Sequence, residues 1–393
     1  MTNPKSDIKR VLNLSQTLEE MSLLLLGPRQ TGKTTFLEEN FSNQSEMISL
    51  LDPEIFRDLQ KRPEKLAEIV NASSKKIFII DEVQKIPELL DVVQNIIQKN
   101  KNIRFILTGS SARKLKSRSA NLLGGRAYPH FMHPICSTEY LKNHSNFDLI
   151  LQIGGLPSVL MSNQPQKRLK AYIGIYLQEE IKAEGLVRNL ADFSRFLDVA
   201  ALTNTEQLDY NSVASDAQLS ARKVASYYQI LQDTLIGNLL EPYRKTKTRK
   251  AVATAKFYFF DVGVANYLLG REKINPGTPE YGKTVEHFIF TELLAYKNYN
   301  EKEYKIYYWR STSQFEVDFI IETKNKKLLA IEVKAKKNIT TKDCKGIKAF
   351  AEDCQLSRKI VISLDEKSRL IEDKVEVFNL KTFCHKLWAG EIL

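Results

Sequence analysis

Gly27-Pro28-Arg29-Gln30-Thr31-Gly32-Lys33-Thr34-Thr35 is the stretch that most narrows what this chain can become. It completes the spacing G-x-x-x-x-G-K-[ST] between an apolar run, Ser22-Leu23-Leu24-Leu25-Leu26, and the helix-forming Thr35-Phe36-Leu37-Glu38-Glu39. A buried strand, a glycine-bearing turn and a helix N-terminus in that order turn backbone N–H groups toward an anion. Lys33 then reaches the β- and γ-phosphates of a nucleotide, and the Thr34 hydroxyl ligates Mg²⁺. Gly27 to Thr35 are therefore the candidate nucleotide-binding residues.

A second apolar run, Lys76-Ile77-Phe78-Ile79-Ile80, ends in Asp81-Glu82. This is the form of a buried parallel strand carrying polar chemistry at its C-terminal edge. Asp81 is placed to hold Mg²⁺ and Glu82 to polarise an attacking water. A third run, Ile103–Thr108, ends in Gly109-Ser110-Ser111. Ser110, in preference to Thr108, is the candidate sensor of the γ-phosphate.

Through GPRQTGKTT, IFIIDEVQ and FILTGSS the chain resembles the AAA-type branch of P-loop ATPases. The resemblance implies ATP with Mg²⁺ as the nucleotide. It also implies a role for Arg126 of Leu122-Leu123-Gly124-Gly125-Arg126, which matches a Gly-Arg pair after the sensor strand. Such an arginine stabilises charge on the γ-phosphoryl, in cis or across a homo-oligomer interface. The alternative is a structural arginine paired with a carboxylate. Arg29 and Arg113 are weaker candidates.

With 393 residues the chain exceeds one ordinary domain, and 43% apolar with 27% charged residues fit a folded protein. Lys and Arg outnumber Asp and Glu by 58 to 47, a net charge of +11, which favours a polyanionic partner, nucleic acid and DNA above all. Cys136, Cys344, Cys354 and Cys384 lie far apart, as suits a reducing compartment. No signal segment or run of about 20 apolar residues is present, so no membrane association is expected and the protein is placed in the cytoplasm. His130, His133 and Cys136 have metal-like spacing, but Pro134 and the alternating Phe131 and Ile135 indicate a strand, which points residues three apart to opposite faces.

Residues 7–20 read as a helix and 137–205 as mostly helical, broken at Gly154-Gly155-Leu156-Pro157. Residues 206–243 read as a winged helix-turn-helix: a short helix at 211–216, a turn, then Ser220 capping a helix to Asp233. Val224, Tyr228 and Leu231 share its apolar face, while Arg222 and Lys223 project elsewhere, where either could touch phosphate. Wing strands at 235–242 and 255–260 flank Lys245-Thr246-Lys247-Thr248-Arg249-Lys250, a basic run able to meet phosphate.

Around residue 276 the pattern changes to a helix and then strands. On the helix Lys283–Tyr296, Ile289, Leu293 and Phe290 lie about 40°, 80° and 140° round from Val285, and Glu286 falls at about 100°, inside that apolar arc. A carboxylate there needs a partner or a cation. Strands at 304–310, 316–321 and 328–334 follow, the last two joined by a polar loop. A turn centred on Asn325 sets Asp318 across from Glu332, with Lys334 on the same face. Two carboxylates and a lysine can bind Mg²⁺ and act on a phosphodiester. Further strands at 359–364 and 375–380, with helices near 342–352 and 381–388, complete this region.

Glu286…Asp318…Glu332-Val333-Lys334 resembles the PD-(D/E)XK nucleases, although Val317 stands where a proline often precedes the aspartate. With Phe-Phe-Asp-Val-Gly, Tyr-Trp-Arg and Ile-Glu-Val-Lys, the whole chain resembles a prokaryotic family in which an AAA-type ATPase is fused to a restriction-endonuclease-like domain. The expected fold is α/β: a P-loop ATPase with a parallel sheet at 1–136, a helical lid and winged-helix-like region at 137–275, and an α/β nuclease-like domain at 276–393. The expected activity is ATP hydrolysis coupled to action on DNA. The alternatives are an ATP-driven switch whose C-terminal domain binds without cleaving, and a regulator acting through the winged helix.

Overall fold

The computed structural model describes residues 8–111, 125–177, 187 and 189–393. The candidate Arg113, residues 122–124 of the Gly-Arg segment, and residues 178–186 and 188 of the expected helical stretch lie outside them. The chain divides into two compact units, residues 10–134 with 233–236, and residues 1–9, 135–232 and 237–393. Among the described residues no helix is long and apolar enough to cross a membrane.

The first unit is built on a five-stranded parallel sheet of β1 (Ser22–Leu26), β2 (Ser45–Ser49), β3 (Ile77–Asp81), β4 (Arg104–Gly109) and β5 (Ala127–Phe131), in the order β2-β3-β4-β1-β5. β1 is buried at every position, as a strand covered on both faces must be. With β1 between β4 and β5, and β3 beside β4, the C-terminal ends of β1, β3 and β4 lie along one edge. The helix expected over 7–20 forms only at Ser15–Glu20. Asn13 Oδ1 accepts the Ser15 N–H at 2.9 Å, a side-chain turn that competes with helix before that point, while Ile8, Leu12 and Leu14 are buried.

The second unit begins with short helices and an interlock between distant sequences. Gly154 sits at φ 78°, and a Cβ there would lie 2.1 Å from Asp261 Oδ1. The buried Asp261 accepts N–H groups from Gly155 (2.7 Å) and Val264 (3.0 Å), starting the helix Val262–Leu268. The Gly-Gly-x-Pro break is therefore the receptor for the Asp-Val-Gly segment: only glycine gives both the positive φ and the space.

Two helices, Tyr210–Ala217 and Ala221–Asp233, lie in the segment expected to be a helix-turn-helix, with Ser220 Oγ accepting the Lys223 N–H at 3.3 Å. β6 (Gly237–Leu240) and β7 (Lys256–Phe259) pair antiparallel, within the spans expected for wing strands. The basic run between them is largely engaged within the unit. Lys245 pairs with Glu322 and Arg249 with Glu352, and Asp353 accepts the Thr248 and Arg249 N–H groups.

A six-stranded mixed sheet follows: β8 (Tyr304–Arg310), β9 (Glu316–Thr323), β10 (Leu328–Lys334), β11 (Leu356–Ser363), β12 (Arg369–Ile371) and β13 (Val375–Asn379), in the order β12-β13-β11-β10-β9-β8. The short β12 is not foreseen from the sequence. The segment Glu241–Tyr243 runs along the outer edge of β8 (Tyr243 N–H to Tyr308 O, 2.7 Å), covering backbone that would otherwise be an open edge. The helix Pro279–Tyr299 packs on the sheet, with the Phe290 and Phe319 rings stacked at 6.4 Å.

That helix also carries Glu292, buried and bonded by the Ser137 N–H (2.8 Å), the Ser137 hydroxyl and Trp388 Nε1–H (2.7 Å). Burial pushes its carboxyl up to about 7. Between its ordinary range near 4.5 and that value the folded chain holds a proton that the unfolded chain has released, so stability falls as pH rises through this window. We expect Glu292→Gln to reduce the drop in Tm between pH 5 and pH 8, measured by differential scanning calorimetry. An unchanged drop would remove Glu292 from the account.

Candidate functional site

The nucleotide-type site lies along the polar edge of the first unit. Gly27 N–H donates to Gly109 O at 3.2 Å, and a Cβ on Gly27 would lie 2.4 Å from Met132 O, so the chain after β5 leaves room only for glycine. Gln30 and Gly32 adopt positive φ (62° and 91°), which turns the loop back into the helix Lys33–Phe41. Thr31 Oγ1 donates to Pro28 O at 2.8 Å, and Arg10 Nη1 donates to Thr31 O at 2.7 Å. Lys33 Nζ donates to Gly27 O (2.7 Å) and Pro28 O (3.1 Å). These carbonyls hold the ammonium in the loop. Thr35 is exposed on the first turn of that helix, while Arg29 is half-buried in the loop.

Thr34 Oγ1 donates to Asp81 Oδ2 at 3.1 Å, and Thr108 Oγ1 donates to Asp81 Oδ1 at 2.5 Å. A hydroxyl beside a buried carboxylate is a donor set that suits Mg²⁺. Glu82 follows at φ 61°, a left-handed conformation costly for glutamate and common where function requires it. Its N–H donates to Thr108 Oγ1 (2.9 Å), and Gln84 Nε2 donates to Glu82 Oε2 (2.5 Å) and Ser110 Oγ (3.1 Å). Thr108 thus belongs to the aspartate, and Ser110 to the Glu82–Gln84 pair. Gln84 and Arg10 were not singled out in the sequence, because an isolated glutamine or arginine carries no spacing signal. Arg126 is half-buried just before β5.

The Gln84 amide fixes the carboxylate that would polarise water. We expect Gln84→Ala to lower kcat for ATP by roughly ten- to a hundredfold with KM nearly unchanged, a positioning loss within the range of general-base effects. Steady-state kinetics would check the split, and a kcat equal to that of the parent chain would refute it.

A second constellation lies in the other unit. β9 and β10 pair with Ile331 opposite Phe319 and Leu328 opposite Glu322, the register that a turn at Asn325 demands. Where the ladder ends, Asp318 Oδ2 accepts the Val333 N–H at 2.7 Å. Lys334 Nζ meets Glu332 Oε1 at 2.5 Å, and Glu332 Oε2 is buried with no hydrogen-bond partner. Burial, with the charge of Glu332, pushes Asp318 up to about 7. Burial does the same to Glu332, against the pull of Lys334. Burial would lower the Lys334 ammonium, but Glu332 and Asp318 outweigh it and raise it.

Glu286 does reach this cluster, through partners that the sequence did not reveal. Its Oε1 accepts from Lys256 Nζ (2.9 Å) and Tyr258 OH (2.7 Å), and Lys256 also meets Glu316 Oε1 at 2.6 Å. Burial raises Glu286 to about 7, with Lys256 pulling it down. A sequence signal existed: Lys256 and Tyr258 share one face of an otherwise apolar strand. The unpartnered Glu332 Oε2, with the Asp318 carboxyl close enough to feel the Glu332 charge, is a donor that could meet a divalent cation. Among the described residues no group of three or more His, Cys, Asp or Glu is placed to hold a metal ion. His130 bonds Thr17 Oγ1 at 3.0 Å from within β5.

Comparison with known proteins follows these regions. Residues 19–141 match a family described as an AAA domain, so the N-terminal segment is an AAA-type P-loop domain of the kind that binds ATP. Residues 144–275 and 281–383 match two further families, each described as a domain of unknown function (DUF8612 and DUF4143). Among solved structures, the Aeropyrum pernix ORC2 protein in its ADPNP–ADP complexes is similar at 12% identity, over 66% of this chain and 91% of that one, with a TM-score of 0.27. No curated protein matches the chain.

Proposed function

We propose that the chain is an ATP-hydrolysing protein that acts on DNA, with a metal-dependent phosphodiesterase site in its C-terminal domain. Its segments are an ATPase core at 1–136, a helical and winged-helix-like region at 137–275, and a nuclease-like domain at 276–393. In the core, Gly27 to Thr35 wrap the phosphates, Lys33 meets their charge, and Thr34 and Asp81 hold Mg²⁺. Glu82 orients the water, Ser110 senses the γ-phosphate and Arg126 steadies its charge. In the C-terminal domain Asp318 and Glu332 hold Mg²⁺, Lys334 meets charge developing on the phosphate, and Glu286 completes the acidic wall. A divalent ion, when bound, supplies Lewis acidity at the scissile phosphate.

The observation that carries the nuclease reading is the convergence of Asp318, Glu332 and Lys334, with Glu332 Oε1 on the Lys334 ammonium and its buried Oε2 left without a hydrogen-bond partner. DNA as partner draws support from the net charge of +11 and from the exposed Arg222, Lys247 and Lys250. The test is ATP turnover with and without single- and double-stranded DNA, together with plasmid nicking in Mg²⁺ or Mn²⁺. DNA that leaves turnover unchanged, with no nicking in either metal, would refute it. The engagement of Lys245 and Arg249 by acids of the same unit favours a second reading, an ATP-driven switch that does not cleave. ATP turnover that responds to DNA, with no nicking in either metal, would select it.

A further inference from the structure

The helix Pro279–Tyr299 carries buried acids on different faces. Glu286 joins the carboxylate cluster, while Glu292 lies about 240° further round and bonds Ser137 and Trp388 of the helices Ser137–Tyr140 and Leu380–Trp388. Those two helices wall a cleft of about 350 Å³, lined by Thr138, Leu141, Lys142, His385, Trp388 and Ala389. Such a volume is at the low end of the range for small-ligand sites.

Trp388 is half-buried, and its Nε1–H donates to Glu292 Oε2 at 2.7 Å. The polar edge of the indole is thus turned inward, and its exposed remainder is ring carbon. Tyr296 and Tyr299 brace the ring, with centroids 5.6 and 6.1 Å away. An indole held by a hydrogen bond and two aromatic neighbours has little freedom left to lose when a flat ligand stacks on it. Of the nearby acids, Glu139 and Glu292 are buried and Glu391 is paired with Lys386. The rim carries the exposed Lys142 and His385, and Lys381 lies on the same helix face as His385 and Trp388, at i, i+4 and i+7. A rigid aromatic surface beside cations recognises a flat ring with an anion attached.

We propose that this cleft binds one nucleotide unit, its base stacked on Trp388 and its phosphate bonded by Lys142 and His385. Stacking of this kind tolerates any sequence, because every base has a π-face. A duplex keeps its bases paired and stacked on one another, so the unit comes from a single strand or from a free nucleotide. The site uses neither the phosphate loop nor the carboxylate cluster.

The test uses the full chain with Lys33→Ala, so that the P-loop does not compete for nucleotide. The chain has two tryptophans and Trp309 is fully buried, so quenching of intrinsic fluorescence reports on Trp388. The probes are oligothymidylate, dTMP and deoxyribose phosphate. Oligothymidylate, alone or together with dTMP, should quench, and deoxyribose phosphate should neither quench nor displace them. Quenching by the strand alone supports the proposal with a single strand as the source, and equal affinity for dTMP supports it with a free nucleotide. By equilibrium dialysis, Trp388→Leu should weaken binding of the quenching probe roughly five- to a hundredfold, the loss of one stacked base. Lys142→Glu should weaken it most at low salt. No quenching by either thymidylate, equal displacement by deoxyribose phosphate, or unchanged affinity in a Trp388→Leu chain folded by circular dichroism would overturn the proposal. Should Trp388→Leu not fold, Lys142→Glu, at an exposed position, decides: weaker binding at low salt supports the proposal and unchanged affinity overturns it. None of these readouts is turnover or nicking, so the proposal and the activities proposed above fail separately.

Discussion

Lys33→Ala is expected to abolish ATP turnover, lowering kcat/KM by at least about 10²–10³-fold, the loss that follows removal of one preorganised charge from a phosphoryl-transfer site. The lysine is 6% exposed and its ammonium is already held by Gly27 O and Pro28 O, so it is oriented before any nucleotide arrives. Preorganisation makes the effect large, because no energy is spent ordering a flexible side chain when the phosphates bind. Alanine removes the charge and also leaves two loop carbonyls without their donor. Binding should therefore weaken along with turnover. Isothermal titration with ATP–Mg²⁺ and a phosphate-release assay would measure the two separately, and an affinity indifferent to the substitution would end the nucleotide reading.

The second large effect is expected from Asp318→Asn, which should reduce metal-dependent DNA nicking by roughly 10²–10³-fold, as loss of a carboxylate that holds the cation, and with it several kcal/mol of charge stabilisation, would. Asparagine keeps an oxygen able to accept the Val333 N–H, so the end of the β9–β10 ladder should survive. The carboxyl that it replaces is pushed up to about 7 by burial and by Glu332, so above that pH the parent chain bears a charge that the fold disfavours. The variant should accordingly melt no lower than the parent at pH 8. Nicking that persists in a folded Asp318→Asn chain would show that the cleavage comes from elsewhere.

These predictions rest on features of unequal visibility. The P-loop, the acids at the end of β3 and the polar end of β4 could be read directly, since each is a contiguous run whose chemistry and local geometry are the same thing. The hairpin register could also be read, because a turn at Asn325 and the two-residue period of a strand leave no other pairing for Asp318 and Glu332. The early helix is shorter than its apolar periodicity suggests because Asn13 Oδ1 takes the Ser15 N–H in a side-chain turn, which apolar spacing does not record. The Gly-Gly-x-Pro break had no evident purpose until Asp261, more than a hundred residues later, was found filling the space beside Gly154.

By itself the sequence determined the α/β class, the phosphate-binding loop and the carboxylate hairpin, because those depend on residues close together along the chain. The tertiary structure alone decided who meets those residues. It seated Lys256 between Glu286 and Glu316, Gln84 on Glu82, and Thr108 on Asp81. It also paired Lys245 and Arg249 of the basic loop with acids of their own unit. The physical reason is that burial magnifies each charge and demands a partner for it. Which partner can reach is a matter of how strands and helices stack, and spacing in sequence carries no record of that.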